Sequence, residues 1–264
     1  MMTFNLIISI IVYAIATGIL AKQWRSEQKG PSRLASIFAT AAVIFHGVAL
    51  YYIVRTPHGI DIGFFTALTF TAWLVATLLA IASFRLPVGC LGLLIYPFAI
   101  ISILLRLSSD QQIMLSESLS PGLETHILFS ILAYSLLSIA VAQSILLYIQ
   151  DKYLHNKHPA GFLHNLPSLE TMENMLFRLI ELGVIALSIS LLSGFIYLEN
   201  MFAQHLAHKT VLSIIAWGLF VILLWGRYQF GWRGKKAIKW VIGAFTFLML
   251  AYFGSKFVVE FILQ

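Results

Sequence analysis

The sequence predicts an all-α polytopic membrane protein, a bundle of eight transmembrane helices with both termini outside. Three observations support this fold class. Of the 264 residues, 59% are hydrophobic and 11% are charged, whereas soluble domains have about 25% charged residues. Eight apolar segments are each long enough to cross the hydrocarbon core, for which a helix needs about 20 residues. Lys and Arg are concentrated in every second loop, and this bias indicates the orientation.

The apolar segments are expected to be helices because lipid cannot hydrogen-bond the backbone, whose polar groups must pair within each segment. They cover 3–21, 34–54, 62–84, 88–106, 126–149, 175–198, 210–226 and 238–262. Pro87 breaks the chain between the third and the fourth. The first segment lacks the lysines and the cleavage site of a signal peptide, so we expect it to be retained. We expect one transmembrane domain over residues 1–264 and no soluble domain.

The orientation follows from the basic residues. The loops after the first, third, fifth and seventh spans hold 12 of the 17 Lys and Arg residues, and the opposite loops hold 3. Loops rich in Lys and Arg stay in the cytoplasm, so both termini are predicted to lie outside. The stretch 168–177, SLETMENMLF, precedes the sixth span and is predicted to form a short interfacial helix.

Composition and motifs also exclude several functions. The net charge of +6 is explained by the loop bias, so no nucleic-acid partner is inferred. A single cysteine, Cys90, excludes an internal disulfide and a CxxC motif for haem attachment or zinc. Without a nucleophilic triad, a phosphate-binding loop or a dinucleotide fingerprint, we expect no enzymatic activity. Arg178 and Glu181 share a helix face and are predicted to pair, with a proton path as the alternative.

Four of the eight histidines lie in loops. His155, His158 and His164 are close to lysines in a loop predicted to be cytoplasmic, where a solvated loop is the simplest interpretation and a metal site the alternative. His58 is also interpreted as a solvated loop residue. His46 differs because it lies roughly 12 Å inside the second span at 1.5 Å per residue. It is either a functional ligand or an imidazole bonded to a neighbouring helix.

The remaining histidines lie at the predicted outer boundary of the membrane. His126 opens the fifth span, and His205 and His208 precede the seventh. Two imidazoles that face each other between apolar helices suit the iron of a haem. Zinc is the alternative, but it requires a third ligand. Arg55, Arg106 and Lys209 are the external cations that could meet the propionates of a haem.

Several stretches resemble known membrane proteins. PSLETMENMLFRLIELGVIALSISLLSG, from Pro167, and THILFSILAYSLLSIA, from Thr125, are similar to segments of CcsA-type cytochrome c assembly proteins. Trp217, Arg227, the run GWRGKKA at 231–237 and the run YFG at 252–254 fit the same pattern. The resemblance is strongest over 123–255, and size and order fit the HemX-like branch. It implies a multi-pass protein of a bacterial inner membrane that handles haem, and it assigns a haem-ligand role to His126.

The sequence departs from the family pattern at one motif and at two histidine positions. Trp225 stands where the family has an intramembrane histidine, and a second family histidine, expected near Leu263, is missing. Where the family has a tryptophan-rich external motif, at about 199–210, this chain has ENMFAQHLAHKT. We therefore expect haem b near the external face, with His126 and His208 as the axial ligands of its iron. His46 is the reserve ligand and His205 the weakest candidate.

The predicted function is a haem-binding assembly factor, with haem, membrane lipid and other membrane proteins as partners. Two alternatives remain open. One is a non-enzymatic partner or regulator of another membrane protein, such as a transporter, on the same scaffold without haem. The other is an electron-transferring haem protein in a quinone pathway.

Overall fold

The computed structural model describes residues 1–25, 32–56, 59–61, 63–86, 88–109, 114–115, 121–155, 166–197 and 204–257. Over these ranges the long helices are α1 (Met2–Arg25), α2 (Arg33–Val54), α3 (Phe64–Ser83), α4 (Gly92–Leu107), α5 (Pro121–His155), α6 (Leu169–Tyr197), α7 (Gln204–Phe230) and α8 (Gly234–Met249). A 3-10 turn, Gly89–Leu91, precedes α4. A π-helical turn, Leu250–Gly254, joins α8 to the short α9 (Ser255–Phe257).

The predicted all-α fold with eight candidate membrane spans is confirmed, whereas the outside placement of both termini stays a prediction. Eight helical segments within the described ranges are long and apolar enough to cross a membrane. The predicted interfacial helix at 168–177 is wrong, because these residues form the first turns of α6. No glycine or proline interrupts the chain between Leu169 and Gly183, and the buried side chains of Met172, Leu176 and Ile180 continue along one face.

The chain divides into two compact units. Unit 1 comprises Met1–Glu117 and Tyr153–Ser168, and unit 2 comprises Ser118–Lys152 and Leu169–Gln264. In unit 1, α1 packs against α2 and α4, and α3 packs against α2 and α4. In unit 2, α7 packs against α6 and α8. The single transmembrane domain expected over 1–264 stays a prediction.

Unit 1 has a small antiparallel sheet at one end of its helices. Its strands are β1 (Arg55–Thr56), β2 (Gly59–Asp61) and β3 (Met114–Leu115), in the order β1-β2-β3. Because β1 follows α2 and β3 follows α4, the sheet fixes the ends of these two helices at the same end of the unit. Strands of two or three residues are too short to leave a periodic pattern in the sequence, which therefore did not predict them.

An ion pair connects this sheet to two helices. Asp61, the last residue of β2, accepts hydrogen bonds from the backbone of Gly63 (2.8 Å) and the hydroxyl of Thr66 (2.6 Å) at the start of α3. Arg106, near the end of α4, lies 3.4 Å from the same carboxylate and donates to Thr66 through Nε at 3.0 Å. Arg106 had been a candidate cation for a haem propionate, but its guanidinium is committed to this buried network.

A glutamate organises the turn between α7 and α8 in unit 2. Gly231 and Gly234 adopt the left-handed conformation, with φ of 62° and 58°, which glycine reaches without a steric cost. Glu173, buried on α6, accepts a hydrogen bond of 2.8 Å from the backbone N–H of Gly234 at the start of α8. The same carboxylate lies 3.3 Å from Arg233 and 3.9 Å from Arg227. One acidic side chain therefore fixes three segments of unit 2.

Candidate functional site

His126 lies in the second turn of α5 and is half-buried. Its Nδ1 is 2.8 Å from the backbone carbonyl oxygen of Ser190 on α6. A carbonyl oxygen can only accept, so Nδ1 carries the proton in this hydrogen bond. In the uncharged ring, Nε2 then keeps its lone pair and can bind a metal. A donated N–H of this kind is the usual way in which proteins orient a metal-binding histidine.

Serine hydroxyls surround this contact. The Ser130 hydroxyl donates to the carbonyl of His126 at 2.7 Å and lies 2.6 Å from the hydroxyl of Ser190. A hydroxyl has one proton, so Ser190 is the donor in the second bond. Ser193 donates to the carbonyl of Ser190 at 2.9 Å. These bonds hold α5 against α6 at the level of the imidazole and fix the ring.

Close packing one turn before His126 determines how near α5 lies to α6. Gly122, one turn before His126, has no side chain where the ring of Tyr197 passes, and a Cβ there would lie 2.1 Å from that ring. Such a distance is shorter than any real contact, so the position excludes larger residues. Gly122 therefore lets the start of α5 lie directly on the end of α6.

The register of α7 against α6 places His208 away from the level of His126 and Ser190. The indole N–H of Trp217 donates to the hydroxyl of Ser188 at 2.8 Å, and α6 and α7 run in opposite directions. Ser190 is two residues further along α6, so its level on α7 is near Ile215. His208 precedes Ile215 by seven residues (215 − 208), about 10 Å of helix at 1.5 Å per residue. This register places His208 nearer the start of α7 than the level of Ser190, whereas the sequence had indicated one depth for His126 and His208.

His208 has different surroundings from His126. Its side chain is exposed, and no other described residue forms a hydrogen bond with it. His205 lies in the first turn of α7. An iron takes each imidazole nitrogen at about 2 Å, and no contact among the described residues joins His126 to His208. Their pairing stays a prediction.

His46 lies in a closed network in unit 1. Its ring is fully buried, with Nε2 at 3.1 Å from the hydroxyl of Thr69 on α3. Nδ1 is 3.5 Å from the hydroxyl of Tyr13 on α1. The hydroxyl of Thr69 also lies 3.4 Å from the hydroxyl of Ser102 on α4, and the ring of Tyr13 stacks on the ring of Tyr96. Both ring nitrogens therefore bond to neighbouring helices. This agrees with the second interpretation from the sequence, an imidazole bonded to a neighbouring helix.

Other candidate residues are placed as follows. His155 is exposed at the end of α5, whereas His58, His158 and His164 lie outside the described residues. Over the described ranges, no group of three or more His, Cys, Asp and Glu residues could hold a metal ion. The Arg178–Glu181 ion pair predicted from spacing is absent among the ion pairs of the described residues, and Glu181 instead accepts a hydrogen bond from Tyr228.

These helices define a multi-pass membrane protein, with a histidine held by a hydrogen bond between two of them. A family model described as "Cytochrome C assembly protein" matches residues 34–263. The chain belongs to the cytochrome c assembly family, and its eight apolar helices are those of a multi-pass membrane protein. The match includes most of unit 1, where the sequence had offered hydropathy alone.

Curated relatives agree with this assignment. The chain is 28% identical over 258 residues to "Inner membrane protein YpjD" of Escherichia coli (strain K12), covering 97% of this chain and 98% of the relative. It is 24% identical to "Cytochrome c biogenesis protein CcsA" of Trieres chinensis over 96% of this chain and 93% of the relative. "Protein HemX" of Brevibacillus brevis is 26% identical over 49% of this chain and 48% of its own length. No solved structure matches the chain.

Sequence reasoning missed the residues that orient His126. The signals were Ser130, four residues later on the same helix face, and the serines of α6 at 188, 190 and 193. Serine in a membrane span can bond across helices. However, the sequence does not show which serine lies opposite which histidine.

Proposed function

We propose that this protein is a haem-handling factor of the cytochrome c assembly family that binds haem b through Nε2 of His126. One observation supports the proposal most directly. Nδ1 of His126 donates to the carbonyl of Ser190 at 2.8 Å, so Nε2 is the nitrogen available to iron. We propose no catalytic centre of its own for the protein. Its task is to hold haem or to pass it on.

The surroundings of His126 suit an axial ligand. Haem iron takes imidazole nitrogens, and cofactor sites in helical bundles are built from side chains between helices. The serine bonds around Ser190 keep the ring in one orientation, and the half-buried position leaves one side accessible. When bound, haem would supply the iron, and the protein would supply the ligand and its orientation.

The second ligand is the open part of the proposal. His208 remains the predicted partner, and the register of α7 places it nearer the start of that helix than the level of His126. His46 is the reserve ligand, but it would first have to give up its bonds to Tyr13 and Thr69. His205 is the weakest candidate. The basic-residue bias supports an external position for His126.

The visible spectrum of the protein purified in mild detergent tests the proposal. The wild type should contain pyridine-haemochrome-positive haem, with sharp reduced bands if two histidines bind. His126→Ala should lose the haem or convert it to a high-spin form. His155→Ala is the matched control, because His155 lies on the same helix, is exposed and should leave the spectrum unchanged. A colourless wild type that takes up no added haemin would refute the proposal.

A second candidate function is a partner or regulator of another membrane protein on the same scaffold. It is favoured by one observation, the sequence ENMFAQHLAHKT where the family has its tryptophan-rich motif. A colourless protein that co-purifies with another membrane protein in a fixed ratio would support this alternative.

A further inference from the structure

The turn between α7 and α8 has more positive charge than its own carboxylates can neutralise. Five cations lie at this turn: Arg227, Arg233, Lys235, Lys236 and Lys239. Glu173 forms ion pairs with the two arginines, and the carboxylate of Asp151 lies 3.9 Å from the ammonium of Lys235. These ion pairs leave a surplus of positive charge at the turn.

Two lysines account for most of this surplus. Lys236 and Lys239 are exposed, and neither is in an ion pair with any carboxylate that the structure describes. They are three residues apart on α8, so they point to the same side of the helix. Trp240, four residues after Lys236, belongs to that side as well.

Two indole rings form a floor beneath Lys236. The Nζ of Lys236 lies 3.6 Å from the ring centroid of Trp232, and the Trp232 ring lies 5.3 Å from that of Trp240. Trp232 has a fixed place because Gly226 lies beneath it, where a Cβ would come within 2.4 Å of the indole. The cation and the two indoles therefore form a preorganised surface.

This surface lies where a spanning helix reaches the edge of the membrane. The candidate span Gly234–Phe257 begins two residues before Lys236, so both lysines are in its first turns. Tryptophan concentrates at this level of a bilayer, and juxtamembrane basic residues attract anionic headgroups. Ile242 and Trp225, both on helices of this turn, have exposed apolar surface.

We propose that Lys236 and Lys239, on the floor formed by Trp232 and Trp240, bind the phosphate of an anionic phospholipid headgroup. The two ammonium groups supply charge for the phosphate and the indoles contact the glycerol region. The adjacent apolar side chains accept the start of the acyl chains. Because an acyl chain contributes to this site, a lipid fits it better than a free phosphate. The proposal is independent of haem binding by His126.

Native mass spectrometry of the full chain in detergent, with added phosphatidylglycerol or phosphatidylcholine, tests this site. The wild type should retain phosphatidylglycerol in preference to phosphatidylcholine. In Lys236→Gln/Lys239→Gln, retention should fall about 25-fold, since one lysine near an anionic surface changes binding roughly fivefold. Lys22→Gln/Lys152→Gln removes two basic residues outside this turn and should leave retention unchanged.

A second variant separates loss of charge from loss of fold. Lys236→Arg/Lys239→Arg keeps both charges and should retain phosphatidylglycerol as the wild type does. Equal retention of the two lipids by the wild type, or unchanged retention in the glutamine double variant, would overturn the proposal. So would complete competition by inorganic phosphate at the lipid's own concentration, because the site would then recognise phosphate without the lipid.

Discussion

The guanidinium of Arg106 lies 3.4 Å from Oδ2 of Asp61, and both side chains are buried. The pair joins the end of α4 to the last residue of β2, and Asp61 also binds the start of α3 through Gly63. A buried ion pair is held by its partners' mutual attraction and by further hydrogen bonds to each group. In unit 1 these further bonds come from Thr66 and from the carbonyl of Ser109.

Asp61→Asn should destabilise unit 1 strongly. The substitution keeps the shape of the side chain but leaves Arg106 as a buried charge without its carboxylate. Removing one member of a buried pair costs about 3–5 kcal/mol in the free energy of unfolding, which should lower the apparent melting temperature in detergent. Glu124→Gln, at an exposed position, is the control and should change little. A stable Asp61→Asn protein would show that the pair contributes nothing.

Glu173→Gln should loosen the turn between α7 and α8. Glutamine can still accept the hydrogen bond of Gly234 but no longer neutralises Arg227 and Arg233. We expect a loss of about 1.5–3 kcal/mol, typical of a hydrogen bond to a charged group, measured as a lower midpoint of thermal unfolding. Glu170→Gln removes an exposed acid from the same helix and provides the comparison. Equal midpoints for the two variants would contradict the central role of Glu173.

The sequence predicted the helices well because lipid imposes a minimum length on every apolar span. It predicted their ends less well. The start of α5 at Pro121 and of α6 at Leu169 lies in polar stretches, where hydropathy falls but the backbone still continues its helix. The fold class therefore depends on the apolar run, whereas the depth of each residue depends on the helix ends.

The candidate site was likewise predicted only in part. The family resemblance found His126, since its segment is similar in sequence. The common level of His126 and His208 was inferred from the predicted starts of two helices, whereas the contact between Trp217 and Ser188 gives a register that the sequence does not contain. The bonds of His46 to Tyr13 and Thr69 join residues 33 and 23 positions apart. No local pattern in the sequence reports such pairs.

The orientation of the bundle can be tested with reporter fusions. The split of 12 to 3 basic residues between alternate loops predicts that both termini lie outside. Alkaline phosphatase fused after Glu117 should be active, because this enzyme requires the periplasm, and fusions after Lys29 or Lys236 should be inactive. Green fluorescent protein at the same positions should give the opposite pattern. Activity of the phosphatase after Lys236 would reverse the predicted placement of His126.

His46 and His208 should respond differently to substitution. His46→Gln should lower stability, because the bonds to Tyr13 and Thr69 hold α1, α2 and α3 together and a buried group left unpaired costs about 1–3 kcal/mol. The visible spectrum should remain, since His46 has no free nitrogen for iron in this arrangement. His208→Ala should leave stability unchanged, because the side chain is exposed, and should convert low-spin haem to high-spin haem if His208 is the second ligand.

The same two variants also distinguish the possible positions of the site. His205→Ala serves as the control on α7 and should leave both stability and spectrum unchanged. If His46→Gln abolishes the spectrum while His208→Ala leaves it intact, the haem lies in unit 1 and His46 is a ligand. If only His126→Ala removes the haem, one imidazole suffices, and the separation of about 10 Å along α7 persists in the loaded protein. Spectra and melting curves from one set of preparations decide between these outcomes.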